Sequence, residues 1–392
     1  MQPLHDVRVL DLTRHLPGPW ATMTLGDLGA DVLKVERPGE GDTARTASPR
    51  YHGEHASESV YFCNVNRNKS SIALDFKREA DRARFFALVE KADVVVENFR
   101  AGAADRMGIG YEALRKQRPS LVYCAITGYG QQGSLAAMPG HDLNIAGHAG
   151  LLQFDAEQTP RMPNVLMGDF AAATAALAAI LAGLVAARTS GVGSFIDVAM
   201  LDALSSWSGI HLTSAFAAGP EDTPSRVEGW GGNPRYGLYR TRDGRYMSVS
   251  LLEKELWRRF CEAFGREDLF NPDETAADRL TAHGPRSDEY RSFITTLIAS
   301  DDRDAWTQRF RELDLPIMPV YTPAEWMRSD IAVQRDLFPS IPIPRLRRSI
   351  AQIGFPFRMR LSDGSDALAM RRAPPALGDA DGFESRAVGE SR

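Results

Sequence analysis

Cysteine is scarce in this sequence. Cys63, Cys124 and Cys261 are the three cysteines among 392 residues. They are odd in number and far apart, so they form neither a disulfide framework nor a CxxC metal site. Sparse cysteine suits a reducing compartment, and we expect a cytoplasmic protein. Cys124 lies within an apolar run and is predicted to pack in the core rather than to act as a nucleophile.

A strong excess of one charge is also lacking. The sequence has 46 lysines and arginines against 51 acidic residues, which gives a formal net charge of -5. This balance excludes a broad basic surface for nucleic acid. Any anionic ligand must therefore be met by particular arginines. The first residues show no basic segment followed by an apolar one, so we expect no secretory signal.

Long apolar runs are nearly absent. Residues 170–187 carry no charge and are just numerous enough to suggest a membrane span. The run consists mostly of alanine and is bounded by Asp169 and Arg188. It therefore predicts a buried helix that packs closely against its neighbours, and we expect no membrane association.

What the first half does contain is an alternation of strand and helix patterns. Short apolar runs at 7–12, 31–36, 94–98 and 121–126 are separated by helical patterns. Such alternation predicts βαβ units and a parallel sheet. The glycines do not form the G-x-G-x-x-G dinucleotide fingerprint, so we do not predict NAD.

Arginines follow two of the predicted strands, in Glu36-Arg37-Pro38 and in Glu97-Asn98-Phe99-Arg100. In open α/β sheets, ligands bind outside the carboxyl ends of the strands. Arginine at these ends suits a phosphate-binding site. Surface arginines are common, however, so both arginines fit an ordinary surface position equally well.

The composition of the chain changes at residues 218–235. This segment is rich in glycine and proline and predicts a linker. The linker separates a large domain, 1–217, from a smaller α+β domain, 236–324. The small domain opens with a hairpin whose turn is Asp243-Gly244. Glu253 follows at the start of a helix.

The stretch 139–170 holds the residues best suited to catalysis. It contains Gly140-His141-Asp142-Leu143-Asn144, and it ends as Asp169 opens the alanine-rich helix. An imidazole and a carboxylate could act as acid and base beside a helix N-terminus, which favours negative charge. Taken alone, the same residues also fit a loop turn and an N-cap.

Taken in order, these motifs resemble the class III CoA-transferase family, also called CaiB/BaiF, which includes alpha-methylacyl-CoA racemase. The matching segments run through nearly the whole chain. They are Val9-Leu10-Asp11-Leu12, Pro17-Gly18-Pro19, Leu25-Gly26-Asp27-Leu28-Gly29-Ala30-Asp31-Val32, Val35-Glu36-Arg37-Pro38, Asn66-Arg67-Asn68-Lys69, Leu74-Asp75, Val96-Glu97-Asn98-Phe99-Arg100 and Thr127-Gly128-Tyr129-Gly130.

The resemblance implies an α/β fold and an acyl-CoA ligand. The expected fold is a Rossmann-like large domain with a parallel sheet, completed by a returning segment, 325–392, plus the small domain. The expected assembly is an interlocked homodimer. Neither a metal nor a redox cofactor is implied. Carried over residue by residue, the expected CoA contacts are Arg37, Leu74, Lys77, Asn98, Phe99 and Arg106.

Two reactions follow from the resemblance. Racemases of this family use an aspartate at the position of Asp169 with a histidine in the motif that holds His141, and they place a glutamate where Glu253 stands. This pattern makes racemisation of a 2-methylacyl-CoA through an enolate our first expectation. Transferases use the same aspartate as a nucleophile and move CoA to a free carboxylic acid by way of an aspartyl-CoA thioester, which is the alternative. A CoA-binding protein without catalysis is a third.

In the racemase interpretation, His141 and Asp169 exchange protons on the two faces of the substrate, and Glu253 orients the imidazole. The backbone N–H groups near Gly168 and Asp169 are expected to hold the oxyanion. The chain departs from the racemase pattern at two places. Ala171-Ala172-Ala173 replaces glycines, which could narrow the approach of the thioester, and Ile145 replaces an aromatic residue.

Overall fold

The computed structural model describes residues 2–155, 159–218, 232–370 and 372–379. Its strands are β1 (Arg8–Asp11), β2 (Asp31–Glu36), β3 (Arg50–His52), β4 (Ser57–Ser59), β5 (Lys69–Ala73), β6 (Val94–Glu97), β7 (Val122–Thr127), β8 (Ser194–Ala199), β9 (Tyr236–Arg240), β10 (Tyr246–Ser250), β11 (Ile317–Pro319), β12 (Ser340–Ile343) and β13 (Arg348–Ala351).

Its helices are α1 (Pro17–Asp27), α2 (Val60–Val65), α3 (Glu79–Val89), α4 (Ala103–Arg106), α5 (Tyr111–Leu114), α6 (Asp142–His148), α7 (Met167–Ser190), α8 (Met200–Trp207), α9 (Gly209–Ala218), α10 (Lys254–Ala263), α11 (Ser287–Ile298), α12 (Arg303–Glu312), α13 (Pro323–Met327) and α14 (Asp330–Gln334).

The chain divides into two compact units. One unit comprises Met1–Trp207 with Ile331–Arg392, and the other comprises Ser208–Asp330. The domain limits that we placed at residues 217 and 324 stay predictions. The linker expected at 218–235 lies mostly outside the described residues.

A six-stranded parallel sheet forms the centre of the larger unit. The strand order is β5-β2-β1-β6-β7-β8, and every neighbouring pair is parallel. The prediction of an α/β fold with a parallel sheet is therefore confirmed. Because parallel strands need crossover connections, the helices cover the faces of the sheet.

An apolar core packs against each face. Alternate residues of a strand point to opposite faces. Val9 thus enters the core shared with α1 and α7, whereas Leu10 enters the core shared with α3. Burial on both faces explains why these strands are continuous apolar runs. Cys124 is buried in the first core, as predicted.

Helix α7 is the alanine-rich helix. By length and composition, its 24 residues could cross a membrane. One face is buried in the first core, where Ala176, Ile180 and Leu184 pack, while Val185 on another face is exposed. The prediction of a buried helix therefore holds for one face only.

The smaller unit has an antiparallel sheet of order β11-β10-β9. The hairpin of β9 and β10 turns at Gly244, whose φ is 79°. A glycine adopts this left-handed conformation without a steric penalty, which confirms the Asp-Gly turn. Aromatic side chains dominate the core of this unit, with Trp306 and Phe310 stacked at a centroid distance of 5.0 Å.

Buried charges join three strands of the large sheet. Lys69 Nζ of β5 lies 2.8 Å from Asp11 Oδ2 of β1, and Lys34 Nζ of β2 lies 3.1 Å from Asp42 Oδ2. Burial alone would raise the pKa of Asp11, but the ammonium groups of Lys34 and Lys69 outweigh it and hold that pKa well below its usual range. These charges are tolerated because they compensate one another.

We expect Asp11→Ala to lower the free energy of unfolding by ~3–5 kcal/mol, because it leaves buried Lys69 without its counter-ion. Urea unfolding followed by circular dichroism measures the change. Arg188→Gln is the matched control. It breaks an exposed ion pair, Arg188 Nη2 to Asp6 Oδ1 at 2.8 Å, and should cost less than about 1 kcal/mol. Equal losses in the two variants would contradict the prediction.

Candidate active site

Asp169 is held in the first turn of α7 by a neighbouring carboxylate. The Oδ1 atom of Asp142 accepts hydrogen bonds from the backbone N–H groups of Gly168, at 2.6 Å, and Asp169, at 3.1 Å. Asp142 belongs to α6, and its side chain is almost wholly buried. A carboxylate at a helix N-terminus is stabilised by the helix dipole and by the donors that it satisfies.

This arrangement corrects our expectation for the oxyanion. The N–H groups of Gly168 and Asp169 already donate to Asp142. The two flanking N–H groups are engaged as well, since Met167 donates to the carbonyl of Val165 and Phe170 to that of Leu166. The N-terminus of α7 thus has no free donor in its first turn, and the prediction that it holds the oxyanion is wrong.

Gly168 permits the close approach of α6 and α7. A Cβ atom at this position would lie 3.2 Å from Asp142 Oδ1 and 3.3 Å from Ile145 Cγ2. A side chain would therefore push α6 away and lengthen the hydrogen bonds to Asp142. Ile145, noted as a departure from the racemase pattern, is a buried core residue of this contact.

The other departure concerns Ala171, Ala172 and Ala173. All three side chains are fully buried, and Ala171 and Ala172 belong to the core that α7 shares with the sheet. They do not line the cavity at Asp169. The expectation that these alanines narrow the approach of a thioester is therefore not supported by their position.

The electrostatics of the site make Asp169 a weak acid. Burial raises the pKa of Asp169, the negative charge of Asp142 raises it further, and the result is about 7. Near neutral pH this carboxyl group is present in both protonation states. When ionised, it is a more basic carboxylate than one exposed to solvent.

A cavity of about 440 Å³ brings Asp169 and His141 together. His141 is an exposed side chain at the N-cap of α6, and its backbone N–H donates to Asn144 Oδ1 at 3.1 Å. His15 lines the same cavity, with its ring edge-on to that of His141 at a centroid distance of 6.3 Å. His148 instead lies edge-on to Tyr129, at a centroid distance of 6.2 Å.

A second cavity, of about 490 Å³, gathers five of the six residues expected to contact CoA. They are Arg37, Leu74, Lys77, Phe99 and Arg106. Arg14 and Arg82 line it too, although the sequence analysis did not single them out. Several cations and an aromatic face suit the phosphates and adenine of CoA.

Phe99 lines both cavities, and Asn98 lines the one that contains Asp169. Both polar atoms of the Asn98 side chain bond to the backbone of Arg14. Its Nδ2 donates to the carbonyl of Arg14 at 2.8 Å, and its Oδ1 accepts from the N–H of Arg14 at 2.9 Å. Asn98 therefore fixes the loop that presents His15, and Phe99 stands where the two cavities meet.

Tyr61 and Glu253 lie in different parts of the structure. Tyr61 of α2 lines the cavity at Asp169 and was missed, because a lone tyrosine in a short helix carries no sequence signal. Glu253 is an exposed residue at the N-cap of α10, in the other compact unit. Its support of His141 stays a prediction. Among the described residues, no group of three or more histidine, cysteine, aspartate or glutamate side chains is placed to hold a metal ion.

The chain resembles known proteins over almost its full length. A sequence model described as CoA-transferase family III matches residues 4–381. The human protein named succinyl-CoA:glutarate CoA-transferase is 31% identical over all of this chain and 89% of its own length. The succinyl-CoA:mesaconate CoA-transferase of Haloarcula hispanica is 32% identical over 92% of this chain and 90% of its own. The crystal structure of a CAIB/BAIF family protein from Brucella suis is 29% identical and has a TM-score of 0.79, covering 96% of this chain and 97% of that one.

We expect Asp142→Asn to lower the pKa of Asp169 from about 7. Removal of the Asp142 charge makes ionisation of Asp169 easier, so the carboxylate becomes available at lower pH. The acidic limb of the pH–activity profile should move down by about one unit, which corresponds to ~1.4 kcal/mol of charge repulsion. The measurement is the pH dependence of kcat/KM for an acyl-CoA substrate. Asp197→Asn, outside the lining of this cavity, is the control. A limb that stays in place, or moves up, would contradict the assignment.

Proposed function

The chain belongs to CoA-transferase family III, and we propose that it transfers CoA from an acyl-CoA to a free carboxylic acid, with Asp169 as the nucleophile. The motifs around His141 and Glu253 made racemisation our first expectation and transfer the alternative. The names of the human and Haloarcula relatives support transfer. The observation that carries the proposal is the environment of Asp169, a partly buried carboxyl group whose pKa is about 7.

The reaction begins when a carboxylate oxygen of Asp169 attacks the carbonyl carbon of the thioester. A C–O bond forms and the C–S bond breaks, which gives a mixed anhydride and CoA thiolate. The thiolate then attacks the side-chain carbonyl of Asp169, and the donor leaves as a free acid. The acceptor carboxylate repeats these two steps in reverse order, so that acceptor-CoA is released and the Asp169 carboxylate is restored.

The environment of Asp169 suits this chemistry. Burial and the neighbouring charge of Asp142 raise its pKa, so the ionised form is a stronger base and a better nucleophile than an ordinary aspartate. The two backbone hydrogen bonds to Asp142 fix the start of α7 and with it the position of the Asp169 side chain. A fixed nucleophile loses little entropy when it attacks a bound thioester.

The cavities provide a place for each part of the substrate. The cationic cavity with Arg37, Lys77 and Arg106 takes the nucleotide end of CoA. The pantetheine arm then passes Phe99, which lines both cavities, and brings the thioester to Asp169.

The acid that exchanges CoA is, in this proposal, a short dicarboxylic acid. Both relatives named above carry dicarboxylic acids in their names. The cavity at Asp169 also contains Asp142, so a doubly charged acid needs a cation to enter it. Arg100 lines this cavity, and its exposed guanidinium has no ion-pair partner in the described part of the chain. It is placed to bind the carboxylate that does not react.

Racemisation is kept as a second candidate because of His141. This imidazole lines the same cavity as Asp169, as a proton-transferring pair requires. A pKa of about 7 also lets Asp169 act as acid and as base. Deuterium exchange at the alpha position of a 2-methylacyl-CoA, lost in His141→Ala, would favour this candidate.

We propose that the protein is a homodimer whose chains interlock. Exposed apolar side chains occur on the loops around α6, among them Met138, Phe154, Met162 and Val165. Met162 is 71% exposed. A partner chain that covered these side chains would remove apolar surface from water.

We expect Asp169→Asn to reduce CoA transfer from succinyl-CoA to glutarate to the uncatalysed background, because an amide is not a nucleophile. Incubation of the wild type with succinyl-CoA and quenching with hydroxylamine should convert Asp169 to a hydroxamate, seen in the mass of its peptide. Asp155→Asn, on the loop after α6 and outside the cavity lining, is the control and should retain transfer and trapping. Full activity of Asp169→Asn, or no trapped group in the wild type, would overturn the nucleophile.

We expect light scattering to give twice the chain mass of 43.2 kDa. Interlocked chains cannot exchange without opening, so mixing tagged and untagged dimers should give no hybrids. Refolding the mixture from urea should give them. A monomer mass would contradict the dimer, and hybrids that form by simple mixing would contradict the interlocking.

A further inference from the structure

The oxyanion of the reaction needs a donor that the fold does not supply at α7. Attack on a thioester carbonyl places negative charge on its oxygen, and preorganised donors stabilise that charge. The first-turn N–H groups of α7 are all engaged, two of them with Asp142. The donor must therefore come from another element that reaches the cavity at Asp169.

We propose that the hydroxyl group of Tyr61 is this donor, an inference that rests on the proposed CoA transfer. Tyr61 lines the cavity that contains Asp169. It is partly buried, and its hydroxyl has no hydrogen-bond partner in the part of the chain that the structure describes. The hydroxyl is therefore free to donate a hydrogen bond to a bound substrate.

Other polar groups of the cavity are engaged or exposed, among them Thr127, whose Oγ1 accepts a hydrogen bond from the N–H of Gly130 at 2.8 Å. The amide of Asn98 is committed to Arg14 through both of its atoms. His15 Nε2 lies 3.2 Å from Thr43 Oγ1 and shares a hydrogen bond with it. His141 and Arg100 have exposed side chains, which makes them weaker donors than a group shielded from water.

Contacts of its neighbours fix the helical turn that carries Tyr61. It is the second residue of α2, whose N-cap Ser59 accepts a hydrogen bond from the N–H of Phe62 at 3.2 Å. Phe62 is buried and lies under the guanidinium of Arg45, at 3.9 Å from the ring centroid. Both contacts fix the turn of helix from which the Tyr61 side chain enters the cavity.

The charges around Tyr61 keep it protonated. Burial raises its pKa above the usual value, and the carboxylates of Asp169, Asp42 and Asp142 raise it further. The phenol therefore remains a donor throughout the working range of pH. The influence of Asp169 also agrees with the shared cavity in placing the hydroxyl near the nucleophile.

The hydroxyl group takes part without losing its proton. As the Asp169 oxygen bonds to the thioester carbon, the π electrons of the carbonyl move to its oxygen, and Tyr61 donates a hydrogen bond to this oxyanion. The oxyanion then collapses, the carbonyl re-forms, and the C–S electron pair leaves with sulfur as CoA thiolate. Tyr61 contacts the reacting atoms in this scheme and is a catalytic residue.

The test compares Tyr61→Phe with Tyr61→Ala in transfer from succinyl-CoA to glutarate. Loss of one oxyanion donor lowers kcat by about 10²-fold. We expect this loss in both variants, with KM for succinyl-CoA close to the wild-type value. Tyr51→Phe is the matched control, since the Tyr51 hydroxyl donates to the Ala351 carbonyl outside the cavity lining, and it should keep kcat unchanged.

Each other outcome overturns the proposal in a distinguishable way. If Tyr61→Phe keeps the wild-type kcat while Tyr61→Ala loses it, the ring packs and the hydroxyl does no chemistry. If both variants mainly raise KM, Tyr61 binds substrate but does not stabilise the oxyanion. If the wild type itself transfers no CoA, the proposed function fails and this inference fails with it.

Discussion

The hydrogen bonds from Gly168 and Asp169 to Asp142 are the constraint on which the site depends. They join α6, which begins at Asp142 beside His141, to α7, which carries Asp169. They need a glycine at 168, because a Cβ there would lie 3.2 Å from the accepting oxygen. The same carboxylate also raises the pKa of Asp169. The Asp142 side chain thus fixes the position of Asp169, adds to the basicity that burial gives it, and occupies the N–H groups of the helix N-terminus.

A second set of contacts shapes the path between the two cavities. Glu97, at the end of β6, accepts a hydrogen bond from the N–H of Phe99 at 2.6 Å, and Asn98 holds Arg14 through its amide. Burial raises the pKa of Glu97 to about 7. Glu97 and Asn98 therefore fix the loop, whereas Phe99 lines both cavities. Binding residues at the ends of buried strands are held in this way with little loss of entropy.

The sequence predicted what depends on local pattern. The parallel sheet followed from strand–helix alternation, and the hairpin from Asp243-Gly244. His141 and Asp169 were singled out by their motifs, and they line one cavity. One prediction that failed was the oxyanion site, because the group that occupies the N–H of Gly168 lies 26 residues away in Asp142 and no local pattern reveals that contact. Tyr61 was missed for the same reason. Its importance comes from the cavity that it reaches, not from its neighbours in the chain.

The two candidate reactions both place negative charge on the carbonyl oxygen of the thioester. In CoA transfer, the charge appears on the carbonyl oxygen after Asp169 attacks the carbon. In racemisation, it appears on the same oxygen after a proton leaves the alpha carbon. A donor placed for one therefore serves the other, and a pKa of about 7 lets Asp169 act as nucleophile or as acid and base. The hydroxyl group that we propose for Tyr61 would thus stabilise the oxyanion of either reaction. The two reactions then differ in the atom that Asp169 approaches, which is the carbonyl carbon in transfer and the alpha proton in racemisation.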